Sequence, residues 1–235
     1  MAKNPLFNLL ANIAISLINE KLQGQQEQQK TQGFPEVWDV PVVKDLVNRD
    51  GSVVLILGRI ETGKTVLGYR LCQGLQRPIY AISPEQTPPE WAKEIKLEEI
   101  AEKPPPNSTL FCDDLPLYAS QRDYYDTYVR TLERIIPVVR HKRRIHLLFS
   151  AQSSGMIDKF VMAANMIFFK PPNLLFLDIE RPSVRAIYRK LMPIFNQMTE
   201  DQLKRHAFLW AQNWRGLVRI DKAISPLDSA MGNFK

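Results

Sequence analysis

Residues 58–65 of this chain read GRIETGKT. It matches the pattern G-x-x-x-x-G-K-[ST] at every fixed position. An unbroken apolar run of strand length, Val53–Leu57, comes directly before it, and residues 66–76 after it favour a helix. A glycine loop between a strand and a helix is the context in which this pattern binds phosphate groups. The stretch therefore predicts an α/β fold with a phosphate-binding loop.

Each fixed residue of the loop has a chemical reason. Gly58 and Gly63 let the backbone curve so that its N–H groups face a phosphate at a helix N-terminus. Lys64 is expected to reach the β- and γ-phosphates of a nucleotide, and the Thr65 hydroxyl is expected to ligate Mg²⁺. Glu61 adds a carboxylate near the phosphates. The predicted nucleotide-binding residues are Gly58, Arg59, Ile60, Glu61, Thr62, Gly63, Lys64, Thr65 and Val66.

The composition is that of a globular protein of one α/β domain with an appendage. The 235 residues are 45% hydrophobic and 24% charged, which is ordinary for such proteins. The net charge of +6 permits a polyanionic partner without demanding one. Cys72 and Cys112 fall in predicted core elements and are expected to be reduced thiols. The sequence shows no metal-ligand spacing and no apolar run long enough to span a bilayer.

The N-terminal region differs from the rest of the chain. Residues 1–22 are predicted to contain an amphipathic helix, since asparagines alternate with leucines and isoleucines at helical spacing. This helix is expected to dock on its own domain or on a neighbouring subunit; the alternative is a contact with a membrane or a capsid vertex through residues 5–20. Residues 23–33 hold six glutamines and predict a flexible linker. Residues 34–224 form the predicted globular domain, and residues 225–235 form a loose tail.

Strands alternate with helices through the globular domain. Beyond Val53–Leu57, strands are predicted at 79–82, 109–112, 145–150 and 165–169, and a hairpin at 207–212 and 217–220. Helices are predicted near 42–48, over 90–103 and over 118–144, with Pro137 as a kink. The alternation predicts a mostly parallel sheet with helices on both faces.

Two carboxylates follow the strand at 109–112. Asp113 is expected to hold Mg²⁺ from the end of this buried strand, directly or through a water. Asp114 is expected to orient and deprotonate the attacking water. Gln152, at the end of the strand at 145–150, is expected to contact the γ-phosphate and the same water. The alternative for each residue is an ordinary polar position in a strand-to-loop turn.

Residues 140–144 form a basic cluster, RHKRR, just before the strand at 145–150. Arg143 or Arg144 is a candidate for an arginine that stabilises the γ-phosphate of a neighbouring subunit. The alternatives are a solvated helix end and a contact with nucleic acid phosphates.

Together, GRIETGKT, TLFCDD and LLFSAQ resemble the motifs of the RecA-like P-loop ATPases with an additional strand. Within them the chain is most similar to the FtsK/HerA superfamily, in particular to genome-packaging ATPases of tailless, membrane-containing viruses with double-jelly-roll capsids. The resemblance covers roughly residues 50–220. It departs from the family pattern at Asp114, where a glutamate is commoner.

The resemblance implies an ATPase that uses Mg²⁺ and assembles into a homo-oligomeric ring around double-stranded DNA. Such a protein would act in the host cytoplasm and at the virion vertex. Lys159, Arg215 and Arg219 are the candidates for DNA contacts. Two alternatives remain: a Zot-like or conjugation-type assembly or secretion ATPase at a membrane, and a nucleotide-binding scaffold that hydrolyses slowly. A GTPase is disfavoured because the sequence has no Asn-Lys-x-Asp motif.

Overall fold

The computed structural model describes residues 33–83, 86–100, 102–114, 143–154, 163–178 and 180–220. The chain divides into two units, Met1–Pro35 and Glu36–Lys235, and all elements named below belong to the second. The predicted N-terminal helix, nearly all of the predicted linker, the predicted tail and most of the predicted helix at 118–144 lie outside the described residues.

The described part of the second unit contains eight strands, four α-helices and three short 3₁₀-helices. The strands are β1 Val53–Leu57, β2 Ile79–Ile82, β3 Ala92–Glu94, β4 Thr109–Cys112, β5 His146–Ala151, β6 Met166–Phe169, β7 His206–Ala211 and β8 Arg215–Arg219. The α-helices are α1 Pro41–Lys44, α2 Lys64–Gly74, α3 Pro182–Phe195 and α4 Glu200–Arg205, and the 3₁₀-helices are Val37–Asp39, Leu97–Glu99 and Leu174–Phe176.

All eight strands join one sheet in the order β3-β2-β4-β5-β1-β6-β7-β8. The strands from β3 to β6 are parallel, and β7 and β8 continue the sheet in antiparallel pairing. The fold is therefore a mixed, mostly parallel α/β sheet, as the sequence predicted. Strand β5 lies between β1 and β4, which places the ends of these three strands side by side at one edge, here called the carboxyl edge.

The core explains why the helix after the glycine loop has its sequence. Every residue of β1 is buried, as expected for a central parallel strand covered on both faces. Helix α2 packs so closely on the sheet that a Cβ at Gly68 would lie 2.2 Å from the Phe111 ring. The neighbouring Tyr69 ring meets Phe111 edge to face at a centroid distance of 4.9 Å. Cys72 and Cys112 are buried free thiols in this core.

The helix predicted over residues 90–103 is wrong. Ala92–Glu94 instead forms β3, which pairs in parallel with β2, and the chain then turns through the 3₁₀-helix Leu97–Glu99. The Ile95 amide donates to the Ala81 carbonyl at 2.9 Å. Strand β2 would otherwise leave its outer backbone groups unpaired, so sheet pairing overrides the local helical pattern. The predicted strands and the terminal hairpin are confirmed, with ends that agree within two residues.

In the described residues, no helix combines the length and apolar character that crossing a membrane requires.

Arg77 holds together the edge of the sheet opposite the carboxyl edge. Its guanidinium donates to the carbonyls of Arg49 at 2.8 Å and Arg144 at 2.9 Å, and more weakly to those of Val47 and Asp50 at 3.4 Å. These bonds join the turn after α1 to the residues before β5.

We expect Arg77→Met to lower the free energy of unfolding by about 2 kcal/mol, because charged hydrogen bonds are lost and carbonyl partners are left without a donor. Urea unfolding at neutral pH measures the change. Arg189→Met removes an exposed arginine of α3 and serves as the control. Equal effects of the two substitutions would contradict the structural role of Arg77.

His146 makes the fold sensitive to acid. Its ring is buried, its Nδ1 lies 2.6 Å from the Ser52 hydroxyl, and its Nε2 has no hydrogen-bond partner. Burial, reinforced by the charges of Arg77 and Arg49, lowers the pKa of His146 from 6.5 to about 4. The unfolded chain therefore binds a proton at a higher pH than the folded chain does.

We expect this contribution to stability to be present above pH 6.5 and to be lost as the pH falls from 6.5 towards 4. The loss should approach about 3 kcal/mol, at 1.36 kcal/mol per pKa unit. His146→Asn keeps a polar partner for Ser52 without a titrating ring, so its stability should depend less steeply on pH in this range. Urea unfolding of both proteins between pH 4.5 and 8 tests this, and parallel slopes would refute it.

Candidate nucleotide-binding site

The glycine loop leaves the carboxyl end of β1 and is packed too tightly for any side chain at its two glycines. Gly58 has φ +153°, and a Cβ there would lie 2.5 Å from the Lys170 Cβ. Gly63 has φ +81°, and a Cβ there would lie 2.7 Å from the Lys204 carbonyl oxygen. The loop is anchored by backbone bonds from Gly58 to Ala151 at 3.1 Å and from Arg59 to Pro171 at 2.8 Å. Both glycines of the motif are thus required by positive φ and by close packing.

The loop leads into the N-terminus of helix α2 and places Lys64 at the carboxyl edge. Helix α2 begins at Lys64, and its N-cap, Gly63, offers no side-chain acceptor to the first amides. Such amides favour an anion. Lys64 is 6% exposed, and its Nζ donates to the Arg59 carbonyl at 3.0 Å. Burial lowers the pKa of Lys64, while the carboxylates of Asp114 and Asp113 oppose the shift.

The other predicted loop residues are arranged around these two groups. The Thr62 hydroxyl donates to the Arg59 carbonyl at 2.8 Å and closes the loop. Ile60 and Glu61 are exposed, and Glu61 has a left-handed backbone with φ +60°. The Arg59 guanidinium lies 3.6 Å from the Glu200 carboxylate of α4. Val66 lies in the first turn of α2.

Thr65 and Asp113 form the predicted metal pair. The Thr65 hydroxyl donates to Asp113 Oδ2 at 2.8 Å, so the two oxygen ligands come from the first turn of α2 and from the end of β4. A hydroxyl and a carboxylate suit Mg²⁺, which is held by one or two carboxylates together with substrate phosphates. Within the described ranges no group of three His, Cys, Asp or Glu residues forms a protein-only metal site. The residues therefore fit a nucleotide-linked Mg²⁺ site.

Ser150 holds both acidic residues in place. Its hydroxyl donates to Asp113 Oδ1 at 2.6 Å and accepts from the Asp114 amide at 2.7 Å. Burial raises the pKa of Asp113, and the bonds from Ser150 and Thr65 counteract this shift. No role was predicted for Ser150 from the sequence. The available signal was its position near the end of a predicted strand, two residues before Gln152.

Asp114 carries an unpaired carboxylate oxygen in the site. Its backbone is left-handed with φ +47°, a conformation that residues other than glycine, asparagine and aspartate rarely adopt and that clusters at functional sites. Oδ1 is buried and has no hydrogen-bond partner, whereas Gln152 makes a side-chain hydrogen bond to the carboxylate. Burial raises the pKa of Asp114, and the Lys64 charge and the Gln152 bond oppose the rise.

Glu180 fixes the segment that follows Gln152. The Glu180 side chain is almost fully buried and accepts hydrogen bonds from the amide and the hydroxyl of Ser154. Sequence reasoning missed Glu180, because it lies far along the chain in a loop before α3. The contact restrains the turn from which Gln152 reaches Asp114.

Arg143 and Arg144 do not lie with this cluster. They precede β5 and therefore lie at the edge opposite the carboxyl edge. The length of β5 separates these two edges by about 17 Å, at roughly 3.3 Å per strand residue. The Arg143 guanidinium donates to the Glu102 carbonyl at 3.5 Å, and Arg144 pairs with Asp50 at 3.7 Å. They therefore do not belong to the site of their own chain, and action on a neighbouring subunit stays a prediction.

The candidate DNA-contact residues are spread over the hairpin. Arg219 of β8 lies opposite His206 of β7 in the antiparallel register and so lies towards the carboxyl edge. Arg215 lies at the other end of β8, with its guanidinium 4.1 Å from the Trp210 ring centroid. Lys159 lies outside the described residues.

Comparisons with known proteins gave structural neighbours alone, since no family model and no curated protein matches the chain. The genome-packaging NTPase B204 of Sulfolobus turreted icosahedral virus 2, in complex with ATPγS, is 12% identical with a TM-score of 0.46, covering 72% of this chain and 98% of that one. The DNA-packaging ATPase B204 of Sulfolobus turreted icosahedral virus is 12% identical with a TM-score of 0.43, over 74% and 99%. The cytoplasmic domain of the Thermomonospora curvata type VII secretion ATPase EccC is 14% identical with a TM-score of 0.47, over 73% and 24%. Genome-packaging and secretion ATPases are thus among the solved structures to which this chain is similar.

Proposed function

We propose that the protein is an Mg²⁺-dependent ATPase. The observation that supports this proposal is the clustering of Lys64, the Thr65–Asp113 pair and the Asp114–Gln152 pair at one edge of the sheet. These residues come from three separate sequence motifs, and no single motif would bring them together.

Each group has one task in the proposed reaction. The amides of the loop and Lys64 bind and orient the phosphates, and the low exposure of Lys64 strengthens its electrostatic effect. Thr65 and Asp113 would hold Mg²⁺, which supplies charge neutralisation at the phosphates when bound. Asp114 accepts a proton from water that Gln152 helps to orient.

We infer further that ATP hydrolysis drives translocation of double-stranded DNA for genome packaging. The resemblance of the three motifs to packaging ATPases supports this inference, and the net charge of +6 is compatible with a polyanion. ATP turnover is to be measured with and without linear double-stranded DNA at low and high salt. A several-fold stimulation that declines with salt supports the inference, whereas turnover that ignores DNA overturns it.

The second candidate is an assembly or secretion ATPase attached to a membrane, which the amphipathic pattern of residues 5–20 favours. Flotation with anionic liposomes separates the two, using the full chain and a variant that lacks residues 1–22. Binding that depends on those residues, together with turnover that is indifferent to DNA, would favour the second candidate.

The proposed motor is a homo-oligomeric ring, in which Arg143 or Arg144 would serve the site of the adjacent subunit. The rate per subunit should then rise with protein concentration as the oligomer forms. In mixed oligomers, Lys64→Met subunits should restore part of the turnover lost in Arg143→Ala/Arg144→Ala subunits. A rate independent of concentration, with a monomeric mass by light scattering, would contradict the ring.

A further inference from the structure

Lys170 is a buried lysine that the proposed reaction does not use. It follows β6 directly, and its side chain has no exposed surface. Its amide donates to the Leu57 carbonyl at 2.7 Å, so its backbone continues the pairing of β6 with β1. A lysine is almost never fully buried unless its amine is satisfied by partners.

The partners of the Lys170 amine are backbone carbonyls at the end of α4. Nζ donates to the carbonyl of Leu203 at 3.1 Å and to that of Lys204 at 2.9 Å. The last carbonyls of a helix have no partner within the helix, and a cation suits that end of the helix dipole. Lys170 therefore fastens the C-terminal turn of α4 to the end of β6.

The same turn of α4 rests on the glycine loop. The Lys204 carbonyl oxygen occupies the space that a Cβ at Gly63 would need, and the Lys170 Cβ occupies the corresponding space at Gly58. Both glycines of the loop thus face this lysine or the turn that it holds. At the other end of α4, Glu200 lies 3.6 Å from Arg59, an exposed pair that contributes little.

We propose that Lys170 is a positioning residue of the nucleotide site, which holds the C-terminal turn of α4 against Gly63 and so fixes the loop in the conformation that binds phosphate. This inference rests on the proposed function of the loop. Burial lowers the pKa of Lys170 well below its ordinary value, and the nearby Lys64 charge lowers it further. Phosphates bound at Lys64 would relieve that repulsion, so nucleotide binding and the attachment of α4 should support each other.

The attachment also connects the loop with the terminal hairpin. Helix α4 ends at Arg205 and continues directly into β7 at His206, and the Arg205 carbonyl accepts from the Ile220 amide at 2.7 Å, directly after β8. A conformational change at Gly63 could therefore reach the ends of β7 and β8 through the contacts of α4.

The first test compares methionine substitutions of the two lysines that meet in this contact, Lys170 and Lys204. Lys170→Met removes the buried amine, whereas Lys204→Met removes an exposed side chain and keeps the carbonyl that Lys170 binds. Affinity for a fluorescent, non-hydrolysable ATP analogue is measured with Mg²⁺ at a temperature where circular dichroism shows each variant folded. We expect Lys170→Met to weaken binding about tenfold or more and Lys204→Met to change it less than about twofold. Equal affinities of Lys170→Met and the wild type would overturn the proposal.

The second test uses the wild type and therefore does not depend on the folding of a variant. The amides of residues 203–206 should exchange hydrogen more slowly when the analogue is bound, and Lys170→Met should lose this protection if it folds. If Lys170 had a purely structural role, the exchange of these amides would not depend on nucleotide. Unchanged exchange in a wild-type protein that binds the analogue overturns the inference alone, whereas a wild type that does not bind overturns the proposed function.

Discussion

Lys64→Met is expected to reduce ATP turnover by about 10²-fold or more, because one preorganised cation at the transferred phosphate is removed. The structure supports a large effect, since Lys64 is 6% exposed; burial lowers the pKa of Lys64, and the carboxylates of Asp114 and Asp113 oppose this shift. Methionine has a similar length and no charge, so the helix that follows the loop should persist.

The control for this substitution is Lys190→Met, which removes a lysine of α3 that is not part of the glycine loop. Turnover by Lys190→Met should equal that of the wild type, and both variants should show the wild-type circular dichroism spectrum. Binding of the ATP analogue should also weaken in Lys64→Met, because the lysine contacts the phosphates before the reaction as well as during it. Undiminished turnover in Lys64→Met would place the hydrolytic site elsewhere in the chain.

Asp114→Asn is expected to lower kcat by about 10² to 10⁴-fold while nucleotide affinity stays near that of the wild type. Asparagine adopts a left-handed backbone readily, so the φ of +47° at this position does not disturb the folding of the variant. It also keeps a polar partner for Gln152. The substitution therefore removes the proton acceptor and little else.

The pH profile gives this prediction a second readout. Burial raises the pKa of Asp114, and a carboxylate acts as a base only when it is deprotonated. The rate of the wild type should therefore fall as the pH drops through a value above the ordinary aspartate pKa. Asp114→Asn should lack that acid limb in its residual turnover. Loss of affinity equal to the loss of kcat would indicate a role in binding rather than in proton transfer.

The fold and the grouping of the motif residues at one edge of the sheet were predictable because their signals are local in the sequence. The apolar run Val53–Leu57, the glycine loop and the strand ending at Asp113 each carry their pattern within a few residues. Parallel strands bring their carboxyl ends to one edge, and the positions of Asp113, Asp114 and Gln152 at strand ends indicated that they lie near the loop. Because β5 lies between β1 and β4, Gln152 at the end of β5 lies between the glycine loop and the Asp113–Asp114 pair.

What the sequence did not reveal depends on contacts between distant segments. Ser150, Lys170 and Glu180 sit in ordinary strand or loop sequences, and their roles arise from partners found only in the folded chain. The error at residues 90–103 has the same origin. A helical spacing of Trp91, Ile95 and Ile100 was outweighed by the unpaired edge of β2, which no local pattern reports.

Steady-state release of phosphate from ATP tests whether the protein is an Mg²⁺-dependent ATPase. The wild type is measured with Mg²⁺ and with EDTA, next to Lys64→Met and Asp114→Asn, each with the same assay repeated for GTP. We expect ATP turnover that requires Mg²⁺ and that falls by about 10²-fold or more in both variants. ATP binding without any phosphate release by the wild type, or release that survives both substitutions, would contradict it.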